Sequence, residues 1–522
     1  MLSPIFVTFA GTLSPKPKMY TYRAYIPYIL LLSLLLPSAH AFAQKRTTAL
    51  SAAFDSVRYE IELQGTLNNG QTPLWMASNR HGLSFVNGDY AYERGGVFHD
   101  TSADSLRKWR IGYGVDLALA QNAGQGVRFY VQQAYADFEY KKWRLSVGSK
   151  ERPLEMKNTE LSSGSQTFGT NARPIPQVRI ELPEYTLISR KAPWIAVKGY
   201  FGYGIMTDGR WQKDYVADGG KYVKHTFYHS KALYLRLGNE ERFPLSGEFG
   251  IETACEFGGT AYNVQGWSSQ YSKIETGHGI KDFFKAIYGG GSDATDDGYS
   301  NAGGNTLGSW LFALKYQGRD WSIRAYYDHF FEDHSQMFLE YGWPDGLTGV
   351  EVQFPKNPVV STLVYEYMRT DYQSGAVYHD ATDALPDQVS GRDNYYNHTI
   401  YQGWQHWGQA IGNPLYTSPL YDDNGALGFT NNRFRAHHIG LSGDPAPTVH
   451  YRMLFSHARN LGTYFQQLSR IRYANHWLTE VTYAPRRIGR STGWCFTAAL
   501  AGDAFNTEGN NFGAQLSIHK TF

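Results

Sequence analysis

Asn511-Phe512-Gly513-Ala514-Gln515-Leu516-Ser517-Ile518-His519-Lys520-Thr521-Phe522 decides the fold. Phe512, Ala514, Leu516, Ile518 and Phe522 share one parity, and Gly513, Gln515, Ser517, His519 and Thr521 share the other, which is the period of a β-strand. Lys520 alone breaks the pattern, at a position where a long stem can lie on apolar surface and lift its ammonium into an interface. A soluble sheet gains little from an apolar last strand with a free edge. A barrel needs that strand to close on the first one and so remove both edges.

The same two-faced pattern recurs upstream. Trp109, Ile111, Tyr113, Val115, Leu117 and Leu119 alternate with Arg110, Gly112, Gly114, Asp116 and Ala118. Trp143, Leu145 and Val147 stand against Arg144, Ser146 and Lys150, and Trp321, Ile323, Ala325 and Tyr327 against Ser322, Arg324 and Asp328. Val449, Tyr451, Met453 and Phe455 oppose His450, Arg452 and Ser456. Burying the charged face inside a soluble sandwich is costly, whereas in a membrane barrel it faces the lumen.

Connection lengths agree. Lys141-Lys142, Gln317 to Asp320, Asp444 to Pro447 and Ala484 to Arg490 are tight, while links near 151–175, 207–229, 259–307, 332–346, 370–432 and 459–475 are long. Counted back from Phe522, the long links fall on the side opposite the carboxyl terminus, so they are expected to be extracellular and the short ones periplasmic. The count gives about eighteen strands in one antiparallel transmembrane β-barrel over residues 44–522.

Composition fits this architecture. The 522 residues include 39 Tyr, 13 Trp and 54 Gly, with 16% aromatics, and mean hydropathy is −0.45. Lipid-facing strands, aromatic girdles and polar loops produce that combination. A net charge of +2 gives no field suited to nucleic acid. Cys255 and Cys495 form neither a metal pattern nor a disulfide framework. At the amino terminus, Arg23, the apolar run Ile29 to Leu36 and the small residues Ala39-His40-Ala41-Phe42-Ala43 predict a secretory signal peptide over 1–43, with Met19 as an alternative start.

The loops carry the functional question. Ile280, Phe283, Phe284 and Ile287 have helical spacing, and their apolar face is expected to pack over the barrel mouth. Ser292 to Gly298 has closely spaced carboxylates but lacks the EF-hand order and distal Glu, so a solvated acidic loop is the better reading and no metal or cofactor is expected. Between Asp371 and Asp422, Arg392, Asp393, Tyr395, Tyr396, Trp404, His406 and Trp407 are expected to combine exposed aromatic planes with forked polar groups, which suits a sugar's C–H face and its hydroxyls or carboxylate. For any one of these residues, the competing reading is that its ring folds the loop inward as a plug or girdle. No Gly-x-Ser-x-Gly elbow or HExxH pair is present; His437-His438 alternate across a wall, and Glu181 and Glu184 fall on opposite faces if their strand continues, so no catalytic residue is assigned.

Pro73 to Gly82, Gly148 to Pro153, Asn171 to Arg179 and Ile411 to Leu415, followed by Ala436 to Gly443, resemble the capsule-assembly outer-membrane proteins of the Wzi type, in the branch common among Bacteroidetes. The resemblance implies an outer-membrane barrel of about eighteen strands that binds capsular polysaccharide or exopolysaccharide and helps attach it at the cell surface without catalysis. It also implies partners in outer-membrane lipid and, through the terminal Phe, in the barrel assembly machinery. A helical bundle like that of the enterobacterial members is not legible. The alternatives are a substrate-specific porin and, third, an outer-membrane hydrolase.

Overall fold

The computed structural model describes residues 57–522 except 105–107, 123–125, 266–269, 289–302, 333–336, 339–343, 374–393, 423 and 508. The expected signal peptide, the acidic Ser292 to Gly298 loop, Arg392 and Asp393 lie outside the described residues.

Among the described residues, eighteen strands make one antiparallel sheet. They are β1 Arg58–Asn68, β2 Tyr90–His99, β3 Trp109–Asn122, β4 Gly126–Tyr140, β5 Trp143–Ser149, β6 Gln177–Ser189, β7 Ala192–Ile205, β8 Phe227–Leu237 and β9 Leu245–Phe257. The second half comprises β10 Asn305–Gln317, β11 Ser322–Glu332, β12 Gly346–Gln353, β13 Thr362–Arg369, β14 Phe434–Ala446, β15 Val449–Gly462, β16 Gln467–Tyr483, β17 Trp494–Phe505 and β18 Asn511–Thr521. Each pairs with its sequence neighbours, and β18 also pairs with β1, from Glu60 opposite Thr521 to Asn68 opposite Gly513. The expected last strand therefore closes the cylinder and leaves no edge.

The alternation sorts the side chains. Trp109, Val115, Leu117, Phe512, Leu516 and Ile518 are exposed on the outer wall, while Asp116 and Gln515 are buried on the inner one. Lys520, on the outward parity, turns its ammonium to the carbonyls of Thr492 and Thr521 at the turn, and its Nζ lies 4.5 Å from the Phe522 ring centre. Its charge is thus lifted out of the apolar belt at the strand end.

The longest links, 69–89, 150–176, 206–226, 258–304 and 370–433, all leave the end opposite the closing strand's terminus. Two expectations about them are corrected. The 459–475 link is mostly strand: β15 runs to Gly462 and β16 starts at Gln467. Gln467 and Ser469, on the outward parity, are exposed and polar, so the hairpin rises beyond the apolar belt, where an outward residue need not be greasy. The helix Ile280–Tyr288 forms as expected, but it packs against the outward-facing Phe227 and Phe257 and so sits on the barrel's outer wall, not over its mouth.

Three links fold inward and pack together as a plug. From 69–89, a short helix Leu74–Ala77 places Trp75 Nε1 3.2 Å from Ser456 Oγ, and the Leu74 N–H donates to Asp503 Oδ2 at 3.0 Å. From 150–176, Lys157 pairs with Asp328 at 2.6 Å, both side chains fully buried. Ser162, Ser163 and Tyr326 hydroxyls all donate to Glu366 at 2.6 Å. From 370–433, Tyr396 stacks on Tyr416 with ring centres 3.9 Å apart, and Trp404 Nε1 donates to the Thr167 carbonyl at 2.9 Å. The inward polar faces of the strands thus meet plug donors and acceptors as well as each other, which satisfies groups that burial would otherwise penalise.

Candidate functional site

At the long-loop end the plug carries a two-stranded hairpin, Gln405–His406 against Gln409–Ala410. Its two turn residues, Trp407 and Gly408, have φ of 56° and 79°, the two left-handed positions of a type I′ turn. Glycine meets that need at 408, and a Cβ there would lie 2.5 Å from Trp211. Trp407 is a bulky residue in a conformation that costs energy, a feature that concentrates at functional sites. Its N–H donates to Asp208 Oδ2 at 3.0 Å and its Nε1 to Thr207 Oγ1 at 3.3 Å.

His406 fixes the base of this tip. Its Nε2 accepts the Thr207 N–H at 3.2 Å, so its Nδ1 carries the proton and donates to the Arg173 carbonyl at 2.8 Å. Burial holds the imidazole below its ordinary pKa of 6.5, so it is neutral at pH 7.

Arg173 then completes a stack. Its guanidinium carbon lies 4.4 Å from the Trp407 ring centre and 4.1 Å from that of Tyr130, on β4. Trp211 stands 6.3 Å from Trp407 and stacks at 4.8 Å on Tyr215, both on the helix Gly209–Tyr215. Arg128 lies 6.0 Å from the Phe85 ring. These side chains surround a cleft of about 120 Å³. Desolvation lowers the Arg173 guanidinium to about 10, so it remains a cation at neutral pH, and its buried Nε has no protein acceptor. Planar rings beside two arginines make a surface for the C–H face of a pyranose and for its hydroxyls or carboxylate.

The structure separates the residues singled out by sequence. Tyr395, Tyr396, Trp404 and His406 are fully buried. They face the plug interior, so the expectation that their planes are exposed is corrected: Tyr395 is held by Asp345, Tyr396 by Glu332 and Gln166, and Trp404 by Thr167 and Tyr228. Of the five that are described, His406 and Trp407 line the cleft, and Trp407 alone is half-buried. Arg173, Tyr130, Trp211 and Tyr215 were missed because they come from separate segments. The i, i+4 aromatic pair Trp211 and Tyr215 was the one local signal. His437 and His438 point oppositely, to Tyr365 and to Ser456, and no group of three His, Cys, Asp or Glu suited to a metal occurs among the described residues.

Residues 67–417 match the profile of the capsule assembly protein Wzi family. The chain belongs to the Wzi family. Among solved structures, this Wzi-family barrel is similar to the Escherichia coli outer-membrane protein Wzi, described as involved in group 1 capsule assembly and as a carbohydrate-binding β-barrel. That similarity has a TM-score of 0.53 and 14% identity and covers 95% of this chain and 89% of that one. The Pseudomonas aeruginosa outer-membrane proteins OpdK and OpdL give TM-scores of 0.45 and 0.43 at 10% and 8% identity, over 90% of this chain and 99% and 98% of theirs. No curated protein matches the chain. Family and barrel together place the protein in the outer membrane of a Gram-negative bacterium.

The sequence blocks that carry the Wzi likeness meet in the plug. The His81 and Gly82 N–H groups donate to the Thr170 and Asn171 carbonyls, each at 2.8 Å. The Gly169 N–H reaches the Ile411 carbonyl at 2.9 Å, and Asn171 Nδ2 reaches that of Ala410 at 3.1 Å. Glu151 pairs with Arg94 of β2 at 2.9 Å. A Cβ on Gly82 would lie 2.7 Å from the Arg173 nitrogen, so the first block sets the seat of the stacked arginine in the third.

Proposed function

We propose that this Wzi-family barrel binds capsular polysaccharide or exopolysaccharide in its extracellular cleft and helps assemble or attach it at the cell surface, without catalysis. The observation that carries this reading is the stack of Arg173 between Trp407 and Tyr130, with Trp211 beside it. The E. coli relative's carbohydrate binding supports the same class of ligand. A non-catalytic role is supported by the engagement of the cleft's serine and histidine: Ser84 donates to the Ala77 carbonyl, and both His406 nitrogens are hydrogen bonded. The exposed belt supports outer-membrane lipid as a second partner, and the closed transmembrane barrel supports the barrel assembly machinery as a partner during insertion.

The test is surface glycan measured beside glycan released into the medium, in cells carrying Arg173→Ala with Trp407→Ala. Release with unchanged synthesis and a folded, heat-modifiable barrel is expected. Full surface retention would overturn the assignment of the cleft.

A further inference from the structure

On the outer wall, the helix Ile280–Tyr288 divides into three sectors. Phe283 and Ala286 pack on the barrel, with Phe283 5.2 Å from Tyr203 and 5.0 Å from Phe257 by ring centres. At 100° per residue, Ile280, Phe284 and Tyr288 share a second sector, and their exposures of 78%, 60% and 82% are large for apolar and aromatic side chains. Lys281 and Lys285 form an exposed third sector beside it.

The helix is attached to the wall at its long-loop rim. It packs at the long-loop ends of β7, β8 and β9, and the exposed Phe201, Ile205 and Leu233 of the lipid-facing belt lie on the same outward parity as its seat. Lys231, an outward-facing lysine of β8, gives its ammonium to the carbonyl of Ile287 in the helix's last turn. A charge on the outer wall is thereby covered by the helix, and the negative end of the helix dipole receives it. Tyr203 also donates its hydroxyl to the Phe283 carbonyl at 2.6 Å.

We infer that this helix lies in the outer leaflet's interface and binds anionic lipid. Ile280, Phe284 and Tyr288 enter the acyl boundary, continuous with the barrel's belt, and Lys281 and Lys285 take headgroup phosphates. An amphipathic helix with an apolar sector flanked by lysines is the arrangement that rests in such an interface.

The full-length protein, with benzoylphenylalanine in place of Phe284, is placed in nanodiscs of phosphatidylcholine mixed with phosphatidylglycerol and irradiated, and the peptide over 280–288 is weighed. Lipid adducts are expected at 284 and none at the exposed Lys213 of the cleft helix when it is substituted in the same way. In the Lys281→Glu, Lys285→Glu background, the ratio of phosphatidylglycerol to phosphatidylcholine adducts should fall by about fivefold per lysine. Absence of lipid adducts at 284, or adducts to protein only, overturns the interfacial placement. An unchanged ratio overturns headgroup recognition. Heat-modifiable migration confirms that each variant is folded.

Discussion

The backbone carbonyl of Arg173 holds His406 at 2.8 Å while its guanidinium carbon lies 4.4 Å from Trp407, the residue next to that histidine. One residue therefore both places the indole and supplies the charge beside it. Removing its side chain should affect the ligand without collapsing the hairpin, because the anchoring bond is made by the backbone.

Trp407→Ala and Arg173→Lys should each weaken binding of purified capsular glycan by about tenfold, the worth of one aromatic or cation stack. Lysine keeps the charge but not the plane. Calorimetry with the isolated polysaccharide checks this. Trp404→Ala, at a fully buried site, should instead lower the unfolding temperature.

Gly408→Ala should distort the tip without a change in charge. Its φ of 79° is strained for alanine, and the added Cβ meets Trp211 and Leu420 at 2.5 and 2.6 Å. The strain alone is about 1 kcal/mol or more, so the variant should bind glycan several-fold more weakly and show faster amide exchange over 404–412.

Lowering the pH should loosen the same hairpin. Burial depresses the folded-state pKa of His406 below 6.5, so the unfolded form binds the extra proton more readily. Stability from this residue is complete above pH 6.5 and is lost as pH falls through the folded value. Exchange protection over 404–412 should therefore decline on acidification in the parent and stay flat in His406→Asn.

Asp328→Asn should strand the buried Lys157 ammonium 2.6 Å away and cost about 3–5 kcal/mol, read as an earlier heat-induced loss of the folded band. Lys157→Met combined with Asp328→Leu should recover part of that loss.

A planar bilayer should record little steady current through the parent barrel, whose lumen holds the packed plug. Gly412→Val should raise it: the glycine lies against Tyr396 and the Gln166 carbonyl with no room for a side chain, so the third plug segment must move off the second. Large steady conductance in the parent would favour the porin reading.

All eighteen strands were legible, because lipid outside and polar plug inside enforce period two along each of them, down to Phe512, Leu516 and Ile518. The β15–β16 hairpin was read too short where Gln467 and Ser469 leave the belt and lose the apolar parity. The site was legible only at His406 and Trp407. A ring among Asn, Gln and His has the same local sequence whether it faces a sugar or, like Tyr396 and Trp404, a neighbouring plug segment. The burial that separates the two comes from contacts such as Tyr396 with Gln166, which no local pattern encodes.

Leu74 is bonded to Asp503, and Trp75 to Ser456, so the loop of the first hairpin is tied to strands near the end of the chain. During biogenesis its partners do not yet exist when it emerges, and the interior can be knitted only after the final hairpins arrive. Slow maturation, with a wall that forms ahead of its filling and a period of vulnerability to proteases, follows from contacts of such long sequence separation.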